Sequence, residues 1–302
     1  DRLLADLAMD ATPGPGLPER LAEALAGAEL VVVENLCSLP RNPAAAAALA
    51  ARLAGRPAIL HHHDLPWQRA EFADLPGWPP DDPAWVHVTI NDVSRRDLAR
   101  RGVAATTVPN AFEVDAAPGD RQSTRRALGV APAERVLLQP TRAIARKNVP
   151  AAIRLAETLD ATYWLVGAAE DGYEEELAGH LREARTRVIR GLPDGVGMAG
   201  AYAAADAVAL PSTWEGFGNP TIESAVHRRA LAVGRYPVAR EIAAYGFRWF
   251  PADDPDPLAA WLASPDPTVL DMNLEIARRH FSLASLEHRL ARVLAEAGWP
   301  AP

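Results

Sequence analysis

The sequence predicts an α/β protein with two domains, each a parallel sheet covered by crossover helices. Short apolar runs alternate with helical stretches over almost the whole chain, which is the pattern of strands joined by helices. A polar segment at 113–124, which contains Pro118-Gly119 and lacks an apolar period, separates two such blocks and is predicted to be an interdomain linker. The chain has 302 residues, which is enough for two hydrophobic cores.

The first block is predicted to contain four strands and two helices. The strands are Glu29–Glu34, Pro57–His61, Trp85–Ile90 and Thr106–Val108. The helices are Pro43–Ala54 and Val93–Arg101. Each helix follows a strand and precedes the next one, as expected for parallel strands.

The second block repeats this alternation and continues it to the end of the chain. Its strands are Arg135–Gln139, Thr162–Val166, Arg187–Arg190, Ala207–Leu210 and Leu231–Val233. Its helices are Asn148–Leu159 (capped by Asn148 or a near neighbour), Glu174–Ala184, Met198–Ala205, Pro220–Arg229, Val238–Tyr245, Leu258–Ala263, Pro267–His280 and Ser282–Ala297. The pattern predicts two Rossmann-like domains with a central cleft, at 1–118 and 119–281, followed by a terminal helix at 282–302.

The composition excludes several classes of function. The formal net charge of −8 argues against nucleic acid as the main partner. The single cysteine, Cys37, excludes an internal disulfide and fits a reducing cytosol, and no apolar run is long enough to span a membrane, so we expect a cytoplasmic protein. Arg95-Arg96 and Arg100-Arg101 share one helix, so peripheral contact with the inner face of a membrane stays open, although a solvated helix face is the simpler interpretation.

Two glutamates flank a glycine-rich turn in the segment 211–223. Glu215 lies on the loop after a strand, and Glu223 falls in the first turn of a helix for which Asn219 is a good N-cap and Pro220 a good first residue. A helix start with exposed N–H groups suits phosphate, whereas carboxylates suit hydroxyl groups on either side of it. The motif therefore indicates a ligand with hydroxyls flanking a diphosphate, which is a nucleotide sugar. If the pair of glutamates stood alone, Glu223 would only complement the helix dipole and Glu215 would only be a solvated side chain.

Two cations occupy the loop after the first strand of the second block. Arg142 and Lys147 follow Arg135–Gln139, and ligands bind at such carboxyl ends in open α/β sheets. Arginine offers a forked contact to phosphate oxygens and lysine a mobile point charge. An ordinary solvated basic loop is the alternative when this loop is considered alone.

Together these motifs resemble the retaining glycosyltransferases of the GT-B fold, in particular glycosyltransferase family 4 (group 1). That family shows an Arg-x4-Lys loop, as in Arg142…Lys147, and a Pro-Ser-x-x-Glu-Gly-Phe-Gly-x-Pro-x-x-Glu segment, as in 211–223. The segments 202–207 and 108–111 are also similar to family segments. The resemblance covers about residues 57–297 and is strongest over 135–245.

The resemblance implies hexosyl transfer from a nucleotide-diphosphate sugar with retention of the anomeric configuration. Arg142 and Lys147 would hold the diphosphate and neutralise the leaving group, Glu223 would bind the ribose hydroxyls, and Glu215 would contact the donor sugar. Backbone N–H groups of the turn would assist. This turn consists of Gly216, Phe217, Gly218 and Asn219. The family needs no metal or other cofactor, and its terminal helix packs back on the first domain.

Three consecutive histidines, His61, His62 and His63, precede Asp64 at the end of a predicted strand. Neighbouring strand residues point to opposite faces, so the three cannot all bind one metal, and we expect no metal site. The family carries a histidine at the end of this strand that faces the donor sugar. His63 matches it best and is our candidate catalytic imidazole, with His62 as the alternative.

The chain departs from the family at its amino-terminal end. Residues Asp1–Leu17 contain no strand followed by a glycine-rich loop, so we expect the amino-terminal domain to be trimmed or partly missing from this numbering. The donor, a UDP- or GDP-sugar, and the acceptor, a glycan, a lipid-linked sugar or a small molecule, stay open. So do two alternatives: a sugar-nucleotide epimerase or phosphorylase on the same fold, and a non-catalytic nucleotide-sugar-binding protein.

Overall fold

The computed structural model describes residues 3–39, 41–69, 72–73 and 77–299. The chain divides into two compact units. The first consists of Asp1–Pro109 together with His288–Pro302, and the second consists of Asn110–Glu287. Each unit has its own parallel sheet and its own hydrophobic core.

The first unit contains a four-stranded sheet in which every neighbouring pair is parallel, in the order β1-β2-β3-β4. The strands are β1 (Val31–Glu34), β2 (Ala58–His62), β3 (Trp85–Thr89) and β4 (Ala105–Thr107). The helices that begin in this part of the chain are α1 (Leu17–Ala24), α2 (Pro43–Leu53) and α3 (Asp92–Arg100). The first two helices pack their leucines and alanines against the β1–β2 edge, where they form the core.

The second unit contains a six-stranded parallel sheet in the order β10-β9-β8-β5-β6-β7. The strands are β5 (Arg135–Gln139), β6 (Ala161–Leu165), β7 (Val188–Arg190), β8 (Ala207–Leu210), β9 (Ala230–Val233) and β10 (Phe250–Pro251). The remaining helices are α4 (Arg121–Ala127), α5 (Val149–Thr158), α6 (Glu174–Glu183), α7 (Met198–Ala204), α8 (Pro220–Val226), α9 (Pro237–Ala243), α10 (Asp256–Ala263), α11 (Pro267–Phe281) and α12 (Leu283–Glu296). Helix α12 crosses from the second unit into the first at His288.

All nine predicted strands are present, with ends that differ by at most two residues, and the short strand β10 was not predicted. Helix α4 was also missed, because it lies partly inside the predicted linker and has no apolar stripe. Its packing runs through arginines instead: Arg121 and Arg125 donate to the carbonyl of Ala204, at the end of α7, and both pair with Asp206. Hydrophobic periodicity does not predict a helix of this kind.

The two predicted N-cap positions are confirmed, but without the side-chain hydrogen bond by which asparagine caps a helix. Asn148 and Asn219 do precede α5 and α8, but neither side chain makes a cap hydrogen bond. Asn148 adopts φ 53° and its amide donates to the Pro211 carbonyl, while the Asn219 side chain accepts from Asn110. Both asparagines therefore connect loops of the second unit rather than satisfy their own helix.

Within the described residues, no helix is both long and apolar enough to cross a membrane. The paired arginines of α3 are partly neutralised on their own helix, since Arg95 and Arg96 pair with Asp92 and Arg100 pairs with Asp97. Arg101 stacks over the Trp67 ring at 3.6 Å. These contacts fit the solvated-face interpretation of the basic run.

Candidate functional site

The strand order of the second unit places a ligand site at the carboxyl ends of β5 and β8. From β5 the chain continues to β6 on one side of the sheet and later returns to β8 on the other side. Such a switch point opens a crevice between the two following loops, and ligands of open α/β sheets bind there. The predicted cations lie on the loop after β5, and the predicted glutamates lie on and beyond the loop after β8.

The loop after β5 is fixed by contacts with the strands of the sheet. Gln139, at the end of β5, donates to the Lys147 carbonyl at 2.9 Å, and the buried Tyr163 hydroxyl donates to Gln139 at 2.6 Å. Gly167 packs directly against the backbone of Arg142, where a Cβ would approach its Cα to 2.4 Å. A larger residue at 167 would therefore displace the loop that carries the cations.

Glu215 lies at the centre of a buried ionic cluster. Its Oε1 accepts hydrogen bonds from Lys147 Nζ at 2.5 Å and from Ser212 Oγ at 2.6 Å. Its Oε2 accepts from Arg146 Nη1 at 2.5 Å. Glu215 is only 4% exposed, and Lys147 is 8% exposed. Three of the roughly four acceptor positions of this carboxylate are thus used by neighbouring side chains.

The charges in this cluster depend on one another. Burial acts to raise the pKa of Glu215, but Lys147 and Arg146 outweigh it, and the pKa is lowered. Burial lowers the pKa of Lys147 although Glu215 opposes the shift. The arrangement is an ionised carboxylate that holds two cations in place, with one more positive charge than negative.

Lys147 is the only lysine in the whole chain, which has 30 arginines. An ammonium group is a compact point charge on a flexible stem, whereas a guanidinium is a planar fork. Lys147 therefore gives this buried position of the switch-point loop a positive charge on a flexible stem.

Arg142 is the most accessible cation of this loop, with a side chain 39% exposed. Its guanidinium pairs with the half-exposed Glu170, at 2.7 Å. An exposed pair of this kind contributes little to stability, so a phosphate can replace Glu170 at small cost.

The glycine-rich turn combines packing with backbone conformation. Gly218 has φ +86°, and a Cβ there would lie 2.5 Å from the Tyr236 hydroxyl, so no other residue fits without strain. The Phe217 side chain is buried between Phe112 and Phe281. Of the turn residues predicted to bind the donor, Phe217 therefore offers backbone groups and not its ring.

Glu223 lies in the first turn of α8 and is half-buried. Its Oε2 accepts a hydrogen bond from the Tyr202 hydroxyl at 2.6 Å. Burial raises the pKa of Glu223, and the Tyr202 hydrogen bond opposes part of that rise. Tyr202 is itself buried and stacks on His227, so the acid is held by a rigid aromatic pair.

The structure brings Lys147 and Glu215 into direct contact and adds Arg146 and Ser212, which sequence reasoning did not select. It also adds Tyr202 as the partner of Glu223. Each of these residues stood inside or next to a motif that the sequence did single out. Which side chains of the loop after β5 reach Glu215 depends on the short 3-10 turn Ala145–Lys147, and no periodicity encodes that choice.

The histidine run of the first unit separates into two faces, as strand alternation predicts. His61 and His63 lie on one face, where His61 Nδ1 and His63 Nε2 each lie 2.9 Å from Glu34 Oε2. His62 lies on the other face, fully buried. That burial leaves His63, and not the alternative His62, accessible to a ligand.

His62 belongs to a hydrogen-bonded chain through the core of the first unit. Ser38 Oγ lies 2.6 Å from His62 Nδ1, and His62 Nε2 lies 2.8 Å from His87 Nδ1. His87 Nε2 in turn lies 3.0 Å from a carboxylate oxygen of Asp81. With both rings neutral, His87 donates to Asp81, which only accepts, so His62 donates to His87 and His62 Nδ1 accepts from Ser38. This sequence of donors is complete only when both rings are neutral.

Lowering the pH below about 6.5 is therefore expected to destabilise the protein through this pair. Burial lowers the pKa of His62 well below its ordinary value of 6.5 and also lowers that of His87, which Asp81 opposes. The unfolded chain then binds more protons than the folded one, so stability is complete above 6.5 and is lost as the pH falls. Each histidine contributes a slope of at most about 1.4 kcal/mol per pH unit.

Urea unfolding between pH 8 and pH 5.5 measures this slope. The control is the double variant His62→Gln/His87→Gln, in which the slope over this interval should be smaller. An equal slope in both proteins would assign the acid sensitivity to other groups.

A cavity of 1040 Å³ lies at the opposite, amino-terminal edge of β5, β6 and β7. Four of its charged side chains form two ion pairs, Arg185 with Glu157 and Arg187 with Glu134. We assign no ligand to it, because the pairs neutralise one another and the carboxyl-terminal edge is where ligands bind in such sheets.

Comparisons with known proteins agree with this fold. A family model described as "Glycosyl transferases group 1" matches residues 143–264, which includes Lys147, Glu215 and Glu223. Mannosylglucosylglycerate synthase of Thermotoga maritima is 26% identical over an alignment that covers 90% of this chain and 77% of that protein. The protein of the same name from Petrotoga mobilis is also 26% identical and covers 72% of this chain and 62% of its own length.

Solved structures extend the likeness across both units. HepE of Anabaena, in complex with UDP and glucose, superposes with a TM-score of 0.73 at 18% identity and covers 94% of this chain and 82% of its own. Sucrose-phosphate synthase of Thermosynechococcus elongatus gives 0.72 at 16% identity, covering 94% and 80%. The predicted GT-B fold is thereby confirmed. Together with the family match and the curated relatives, it supports a group 1 glycosyltransferase.

Proposed function

We propose that the protein is a retaining glycosyltransferase of family 4 that transfers a hexose from a UDP- or GDP-sugar to an acceptor hydroxyl. The observation that carries this proposal is the buried Glu215 cluster at the switch point of the second unit, with Lys147 and Arg146 on a single carboxylate. Glycosyltransferase activity is supported by the curated relatives, and the solved structures of HepE contain UDP or UDP-glucose.

The diphosphate would bind to the cations of the loop after β5. Arg142 is accessible and paired only weakly, and Lys147 is within 2.5 Å of a carboxylate from which its flexible stem can turn away. Charged hydrogen bonds to a phosphate contribute roughly 1.5–3 kcal/mol each. The loop thus supplies two separate positive contacts for one diphosphate.

Glu215 would then change partners. When Lys147 turns to the diphosphate, one Oε1 position of Glu215 becomes available, in addition to the one left over by Arg146, Lys147 and Ser212. Those positions can accept hydroxyl groups of the donor sugar. Phosphate binding and sugar binding would in this way be coupled through one carboxylate.

Glu223 would accept the ribose hydroxyls of the nucleotide. Its carboxylate is fixed by Tyr202 from one side and lies at the start of α8, beside the turn that contains Gly218. A ribose hydroxyl that donates to Glu223 would replace the hydrogen bonds with water that this half-buried carboxylate loses on burial.

In the transfer step, the bond between the anomeric carbon and the β-phosphate oxygen breaks, and a bond from the acceptor oxygen forms on the same face of the sugar. The acceptor hydroxyl gives its proton to an oxygen of the departing diphosphate, and the nucleoside diphosphate leaves with the bonding electron pair. Arg142 and Lys147 stabilise the negative charge that develops on the leaving oxygen. His63, in the first unit, is the residue to which we assign a hydrogen bond with the transferring sugar. The proposed reaction needs no metal.

The proposal is tested by incubating the protein with a panel of UDP-, GDP- and ADP-sugars and candidate acceptors. We expect release of one nucleoside diphosphate that depends on the acceptor and persists with EDTA, and a product with the anomeric configuration of the donor. Release of no nucleotide from any donor that binds would instead favour a binding protein, and an inverted product would contradict retention.

A further inference from the structure

The first unit holds a cluster of metal-ligand side chains, of which the proposed transfer uses only His63. Within the described part of the chain, Glu34, His61 and His63 place one ligand atom each within 4.8 Å of the others. His61 Nδ1 and His63 Nε2 both lie 2.9 Å from the same carboxylate oxygen, Glu34 Oε2. Two imidazole nitrogens and a carboxylate oxygen therefore lie close enough together to contact one ion.

The backbone fixes all three positions. Glu34 ends β1 and is the direct register partner of His61 on β2. His63 follows β2, and its backbone N–H donates to the Asn35 side chain at 3.0 Å, as does that of Asp64 at 3.1 Å. Asn35, at φ 60°, is thus the clamp that holds the end of β2 beside the end of β1.

The spacing fits a small four-coordinate ion. Zinc bonds of 2.0–2.1 Å at tetrahedral angles put ligand atoms about 3.3 Å apart. The two contacts of 2.9 Å between Glu34 Oε2 and the imidazole nitrogens need to lengthen by about 0.4 Å. The ligand nitrogens of His61 and His63 are at most 4.8 Å apart, so the distance between them needs to shorten by about 1.5 Å or less. Glu34 is the most exposed of the three side chains, at 59%, and is free to make this adjustment.

Contrary to the expectation from the sequence that the histidine run forms no metal site, we propose that Glu34, His61 and His63 form a binding site for a divalent transition metal, of which Zn²⁺ is the best match. Imidazole suits Zn²⁺, Ni²⁺ and Cu²⁺, whereas Mg²⁺ and Ca²⁺ take sets of oxygen ligands. Three protein ligands leave a fourth position for water, and the exposure of Glu34 and His63 gives the ion a path from solvent.

Occupancy of this site would inhibit the transferase. The ion engages His63 Nε2, and that imidazole is the group to which the proposed function assigns a contact with the donor sugar. This consequence rests on the proposed function, whereas metal binding itself does not.

Calorimetric titration of Zn²⁺ into the tag-free, full-length protein tests the site directly. We expect binding at one site, weakened at least about 10-fold by Glu34→Gln and by His63→Gln. The matched control is His180→Ala, which removes a histidine that pairs with a single carboxylate, Glu176, and which should bind Zn²⁺ as the wild type does. Mg²⁺ should give no binding to any of these proteins.

Absence of Zn²⁺ binding by the wild type, or binding that neither Glu34→Gln nor His63→Gln weakens, would overturn the proposed site. Transfer is then assayed with and without Zn²⁺, and we expect inhibition of the wild type that Glu34→Gln relieves. Binding of Zn²⁺ without inhibition would leave the metal site standing and overturn the role proposed for His63.

Discussion

Replacement of Glu215 by glutamine is expected to lower the rate of sugar transfer at least about 100-fold and to destabilise the second unit. Glutamine has the same shape, but its amide NH2 would face Arg146 or Lys147, each of which donates to the carboxylate in the native protein. Removal of one partner from a buried ion pair reduces the free energy of unfolding by roughly 3–5 kcal/mol, because the other charge stays buried and unpaired.

Nucleoside diphosphate should still bind to the Glu215→Gln variant, because the phosphates supply the anion that the two cations have lost. Urea unfolding with and without UDP or GDP, together with a transfer assay, measures both effects. The matched control is Glu170→Gln, which makes the same change in the exposed carboxylate that pairs with Arg142 and should alter stability by less than about 1 kcal/mol. Full transfer activity in Glu215→Gln would contradict the account of the cluster.

Replacement of Lys147 by alanine is expected to lower the rate of transfer by about 100- to 1,000-fold while the protein stays folded. Arg146 remains paired with Glu215 in this variant, so no charge is left buried without a partner. The loss arises because the charge that develops on the leaving diphosphate has one cation fewer to stabilise it. Steady-state kinetics should show the loss in kcat and not only in KM.

The single lysine makes the same test possible without mutation. Within residues 1–302, Lys147 carries the only side-chain amine that an amine-specific reagent can modify. Modification of Lys147 should abolish transfer, and saturating nucleoside diphosphate should protect both the amine and the activity. Loss of activity with Lys147 still unmodified, as read by peptide mass, would exclude the assigned role.

The fold was largely predictable because apolar runs and their spacing report directly on buried strands and on the helices between them. Helix α4 was not predicted because arginines, and not apolar side chains, attach it to the rest of the unit. They contact a carbonyl of α7 and the carboxylate of Asp206, and hydrophobic periodicity does not report such contacts. Strand alternation was sufficient to separate His62 from His61 and His63.

The site was predictable at the level of loops and not of contacts. The motifs located Arg142, Lys147, Glu215 and Glu223, since residues after parallel strands gather at one sheet edge. They did not reveal that Glu215 would hold Lys147, because that contact depends on how the short turn 145–147 directs neighbouring side chains. Nor did they indicate that Glu34, on β1, would meet two of the three histidines, since strand pairing across 27 residues is not local information.

The central claim is that the loop after β5 binds the diphosphate of a nucleotide sugar. Calorimetric titration of UDP and GDP into the wild type, the Arg142→Ala/Lys147→Ala variant and the Arg185→Ala variant tests it most directly. Arg185 is an exposed arginine of the same unit that pairs with Glu157 at the other edge of the sheet, and it serves as the control for loss of a positive charge. The account predicts that one nucleotide binds to the wild type and to Arg185→Ala with equal affinity, and that the double variant binds it at least about 100-fold more weakly, which corresponds to the loss of two charged hydrogen bonds. Equal affinity in all three proteins would contradict the assignment of the phosphate site.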